Sequence, residues 1–178
     1  MLTIELHTIS PDQSIEQTLY IKGFRKQEET FIYTNNNIKL ECVIDSNKRS
    51  LNINFSPHLN LKQYTIVHNI IKNLILVLNA EYTDSQSLLG YLTNGKGAYI
   101  ITNWADWVAF LQKAKLRSLE GKKVNLFDET NKEIASGMFI SYKMDDQSSN
   151  ITECTLITHF GERSFKGSNI LIEPTNEW

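Results

Sequence analysis

Four histidines, two cysteines and a set of dispersed carboxylates are the residues of this 178-residue chain that could carry acid–base, nucleophilic or metal chemistry. His7, His58, His68 and His159 stand far from one another and from Cys42 and Cys154, so none of them has the short ligand spacing of a zinc site. No metal and no cofactor is expected. A nucleophilic cysteine needs its thiol acidified by nearby cations, and neither Cys42 nor Cys154 has them in its local sequence. No G-x-S-x-G elbow is present. Asp145 and Asp146 are adjacent in a polar stretch, where two carboxylates are ordinarily solvated. The loop Thr93-Asn94-Gly95-Lys96-Gly97 lacks the G-x-x-x-x-G-K-[ST] spacing and precedes an apolar, strand-like run, where a phosphate loop needs a helix N-terminus. These residues predict a chain that is not an enzyme.

Residue types suited to recognition are better represented. Trp104 and Trp107 lie three apart on one expected helix face and could anchor a partner if exposed. From Ser118 to Trp178 ten acids face six cations, a net of −4, which sets that part against phosphate binding and in favour of a basic protein partner. Asp145, Asp146 and Glu162 are its candidate contacts. A weaker alternative is nucleic acid held by Lys113, Lys115, Arg117, Lys122 and Lys123, with Arg163 and with Phe160 or Phe165 as stacking rings.

The elements that would position these residues follow from periodicity. Up to Phe55 the apolar residues alternate: Leu2, Ile4 and Leu6, then Leu19 and Ile21, Phe31 and Tyr33, Ile38, Leu40 and Cys42, and Leu51, Ile53 and Phe55. That pattern predicts strands joined at polar turns such as Asn35-Asn36-Asn37 and Asp45 to Lys48. The period changes at Leu61, Tyr64, Val67, Ile71, Leu74 and Leu78, predicting a helix from about Pro57 to Asn79. A short helix or turn is expected around Leu88 and Leu89, a strand at Ala98 to Ile101, and a second helix capped by Asn103 and ending in Lys113, Lys115 and Arg117.

Beyond Leu119 the pattern is wholly β: strands at Lys123 to Phe127, Ile134 to Met144, Ile151 to Thr158, Arg163 to Lys166 and Asn169 to Glu173. Five short strands with Gly137 partway along the second resemble a small SH3-like or Sm-like barrel in pattern. The expected fold is therefore α+β. Residues 1–117 form an antiparallel sheet with helices and residues 118–178 a small five-stranded barrel.

The two cysteines read as buried strand positions, kept reduced in a cytoplasmic protein. The N-terminus lacks the basic and unbroken apolar regions of a signal peptide, and no run approaches the roughly 20 apolar residues of a membrane span. The expected role is a cytoplasmic protein-interaction module of the inhibitor, immunity or adaptor kind, the alternatives being a nucleic-acid-associated small barrel and an enzyme whose site assembles only in three dimensions.

Overall fold

Alternation makes the first strand, β1 (Leu2–His7), one-sided: Ile4 and Leu6 are sealed, while Thr3, Glu5 and His7 keep partial access to solvent. The computed structural model describes residues 1–8, 12–35, 37–145 and 150–175. Its chain divides into two compact units, Met1–Val108 and Ala109–Trp178.

In the first unit β1 joins β2 (Arg25–Gln27), β3 (Thr30–Asn35), β4 (Ile38–Asp45), β5 (Ser50–Phe55) and β6 (Glu81–Thr83) in a sheet of order β2-β3-β4-β5-β1-β6, every pair antiparallel. Phe31, Leu40, Cys42 and Ile53 are buried on one face, whereas Lys39, Asn52 and Asn54 belong to the other. One apolar face requires one covering layer. Two helices, α1 (Asp12–Ile21) and α2 (Leu61–Leu78), contact each other, and α2 lies against β4.

Helix α1 corrects the expected strand at Leu19 and Ile21. Two apolar residues two apart satisfy a strand only if both are buried, and Ile21 is 81 % exposed. The buried set is Ile15, Thr18 and Leu19, at the three- and four-residue steps of a helix face.

Helix α2 buries Tyr64, Val67, Ile71, Leu74 and Leu78, the expected stripe, with His68 added. It starts at Leu61 because Asn60 forms a capping box: Asn60 Oδ1 accepts from Gln63 N at 3.0 Å and Gln63 Oε1 from Asn60 N at 3.0 Å. The preceding segment is held outside the helix, where the Tyr64 hydroxyl donates to the Pro57 carbonyl at 2.8 Å. Asn79, left-handed at φ 46°, ends it.

Leu88 and Leu89 belong to a strand, β7 (Leu88–Tyr91), paired with β8 (Gly97–Tyr99), which replaces the expected short helix or turn. The glycine-containing loop is the turn of this hairpin, with Gly95 at φ 78° and Leu92 N donating to Lys96 O. Helix α3 (Trp104–Arg117) follows, and the division between the units falls within it. Asn103 does not cap it as expected. Its backbone is left-handed at φ 59° and its side-chain amide donates to Gly97 O at 3.0 Å.

The second unit contains β9 (Lys123–Phe127), β10 (Glu133–Met144), β11 (Ile151–Thr158), β12 (Gly161–Lys166) and β13 (Leu171–Pro174), in the order β12-β11-β10-β9-β13. β10 is twice shared: its first half pairs with β9 and its second with β11, meeting at Met138. Val124, Leu126, Phe139, Cys154 and Leu156 form the core, joined by Leu116 and Leu119. The expected closure into a barrel is not present in the pairing among the described residues, where β12 and β13 are the two edges. The fold class is α+β, with three helices and antiparallel sheets among the described residues.

Candidate interaction surfaces

Helix α2 presents Tyr64 and His68 one turn apart, and α3 presents Trp104 and Trp107 at a three-residue step, so four rings can meet. Trp107 meets Tyr64 edge-on, centroids 5.8 Å apart, and only 8 % of its surface is exposed. Trp104, half-buried, stacks on the His68 imidazole at 4.5 Å and 8°. The structure therefore places the tryptophan pair of the sequence reading in packing within the first unit.

His68 Nδ1 lies 2.7 Å from the Ile100 carbonyl oxygen, which can only accept, so Nδ1 carries the proton of the neutral ring. Burial holds its pKa below the usual 6.5, partly offset by the Ile100 hydrogen bond, while nearby Lys72 pushes in the same direction as burial. Because the folded-state pKa is the lower one, the unfolded chain takes the proton first as pH falls. The neutral ring's contribution is complete above about pH 7 and is lost progressively below pH 6.5. Urea titrations from pH 7.5 to 5 are expected to show falling stability in the wild type and a shallower fall in His68→Gln. Equal slopes would remove His68 as the source.

The turn between β6 and β7 is fastened by Asp84. Its Oδ2 accepts from Ile101 N at 3.0 Å and Thr102 N at 2.7 Å, and its Oδ1 from Thr102 Oγ1 at 3.0 Å. Fully buried Ser87 donates to Asp84 O at 2.8 Å and accepts from Ile100 N at 3.1 Å, so its hydroxyl is committed to the backbone.

The second unit carries a groove of about 840 Å³. Its floor is set where β10 passes from one half of the sheet to the other. Met138 and Ile157, directly opposite each other in β10 and β11, stay 46 % and 45 % exposed in the middle of the sheet. Lys122 and Lys123 enter from the start of β9 and His159 from the turn after β11. Gly137 makes the close approach possible: a Cβ there would stand 2.5 Å from the Ile157 carbonyl oxygen. Beside the groove, Phe160 is 80 % exposed, with the Arg163 guanidinium 5.2 Å from its ring centroid.

The structure separates the acids of the sequence reading. Asp145 follows β10 near Ile151, whereas Glu162 opposes Ile157. About six residues of strand, roughly 20 Å, divide them, and Asp146 lies outside the described residues. Other acids are engaged locally. Asp128 Oδ1 accepts from Thr130 and from Lys132 N within its turn, and Lys143, hydrogen-bonded to Glu153 at 3.1 Å, holds that carboxyl below its usual pKa range with help from Lys166. The cations divide as well. Lys113 and Arg117 share a helix face, Lys115 lies on another, and only Lys122 and Lys123 line the groove. Phe165 packs against the core, which leaves Phe160 as the exposed ring.

The sequence reading does not single out Met138 or Ile157, because alternation along a strand points first to its buried residues. Phe139 and Leu156 point inward, so their apolar neighbours must point outward, and that was the available signal. Both thiols are buried and free, with burial pushing the Cys154 pKa up to about 12 and the Cys42 value also upward. Among the described residues no cluster of His, Cys, Asp or Glu could hold a metal ion, and no helix is long and apolar enough to cross a membrane. Comparison of the chain with protein-family models, curated proteins and solved structures finds no match in any of the three.

Proposed function

We propose that this chain is a non-enzymatic protein-interaction module of the inhibitor, immunity or adaptor kind, docking its partner in the groove of the second unit. The observation that carries this reading is the pairing of Met138 with Ile157: two large apolar side chains held side by side and open to solvent on a rigid sheet. The non-enzymatic part draws support from chemistry already committed elsewhere, with both thiols buried and Ser87 enclosed. Buried, free thiols also suit a cytoplasmic protein. The order β12-β11-β10-β9-β13, with β10 spanning both halves and Gly137 beside the change of partner at Met138, supports a small SH3-like or Sm-like barrel left open between β12 and β13 as the form of this unit.

The docking surface differs from the acidic face that composition alone suggested, because Asp145 and Glu162 do not meet. A second reading has one observation of its own: exposed Phe160 under Arg163 is a platform on which a base could stack.

Capture from native lysate, with and without nuclease treatment, tests both. A stoichiometric partner should be retained by the wild type and by Asp145→Lys, and weakened tenfold or more by Met138→Asp or Ile157→Asp, as expected for about 2 kcal/mol at an apolar anchor. Retention by both groove variants would overturn the docking site. Recovery of nucleic acid alone would replace the reading with the second one.

A further inference from the structure

Register fixes a line of side chains across the second unit. Lys123 in β9 opposes Met138 in β10, Met138 opposes Ile157 in β11, and Ile157 opposes Glu162 in β12. Directly opposed residues of antiparallel strands point to the same face. One face therefore presents, in order, a cation, two exposed apolar side chains and an anion. Lys123, Met138 and Ile157 line the groove and Glu162 lies one strand beyond Ile157, so the line of side chains has a direction that the groove's volume alone does not.

The geometry points to an extended peptide segment of the pattern acid-x-apolar-x-base as the groove's ligand, lying across the strands with its acid at Lys123, its apolar side chain over Met138 and Ile157, and its base at Glu162. This rests on the protein-interaction reading above. Three inter-strand steps of about 4.8 Å place the charged ends roughly 14 Å apart. In an extended peptide, residues i and i+4 are separated by about 13 Å and share a face with i+2, so the three side chains of the pattern reach the three stations together. Lys122, beside Lys123 in the lining, strengthens the acid-binding end.

The same line disfavours a polyanion. A nucleic acid leaving Lys122 and Lys123 along this path meets Glu162, and the second unit, with ten acids against nine cations, has no net positive charge to draw it in. A peptide with one acid and one base matches both ends.

The test uses the full chain and three fluorescein-labelled probes: a Glu-Thr-Leu-Thr-Lys peptide, a Glu-Thr-Leu-Thr-Glu peptide and a 12-nucleotide oligo-dT. Binding is followed by anisotropy, and amide NMR shifts locate it. The first peptide should bind the wild type about three- to fivefold more tightly than the second, a difference of the size an exposed ion pair supplies. Glu162→Lys, a substitution at an exposed edge-strand residue, should reverse that order, and Met138→Asp should abolish binding of both. Amide shifts are expected at Lys123, Met138 and Ile157.

Equal binding of the two peptides, or an order unchanged by Glu162→Lys, would overturn the pattern. Oligo-dT binding more tightly than either peptide would replace it with the base-stacking reading. If neither peptide binds while a lysate partner still depends on Met138, this inference fails and the docking site stands. If the partner is indifferent to Met138, both fail.

Discussion

Gly137→Ala is expected to part β10 from β11 and cost the second unit about 3 kcal/mol, at the upper end for overpacking a close contact. The added Cβ would stand 2.5 Å from the Ile157 carbonyl oxygen and 3.3 Å from Leu156 Cβ. The first neighbour is backbone, which cannot rotate away. Relief therefore requires the strands to move apart, at the point where the two exposed groove residues are paired. Hydrogen-exchange mass spectrometry should show faster exchange at Phe139 and Leu156 in the variant. Gly161→Ala is the contrast: its glycine is left-handed at φ 89° with no atom within 4 Å of the built Cβ, so only backbone strain of about 1 kcal/mol is expected. Similar losses at both sites would show that the close approach at Gly137 is not what demands glycine.

Asp84→Ala should destabilise the first unit by about 3 kcal/mol, because two backbone N–H donors and one hydroxyl lose their acceptor together. Asp84→Asn should cost only about 1 kcal/mol. Both backbone donors go to Oδ2, so an amide oxygen in that position keeps them, and the amide nitrogen can donate to the Thr102 hydroxyl. Urea unfolding followed through Trp104 and Trp107 fluorescence separates the cases by their midpoints. An asparagine variant as unstable as the alanine one would place the effect in the carboxylate's charge and not in its acceptor geometry.

Much of the framework was legible where burial is one-sided and sustained. The stripe from Tyr64 to Leu78 specifies α2, and the alternation of Leu51, Ile53 and Phe55 specifies β5, because each repeats its period several times. Leu19 and Ile21 offered one interval only, which cannot tell a strand from a helix. Leu88 and Leu89 were equally ambiguous, since the partner that makes them a strand, Gly97–Tyr99, lies across a turn. The candidate site was less legible. A net charge is a sum over a sequence, but a docking surface is a place, and pairing put Asp145 and Glu162 at different ends of β11. What brought Lys123, Met138, Ile157 and Glu162 into line was register across four strands, which a local window does not contain.

The order in which the second sheet is connected also bears on how it assembles. β9, β10, β11 and β12 are successive hairpins, so each can form against the strand just before it, with short loops to close. β13 alone must return across the whole meander to reach β9. During folding, four strands can be paired before the fifth docks. Until it docks, the β9 edge is an unprotected template for a neighbouring chain, and a chain truncated before Leu171 should aggregate more readily than the full chain.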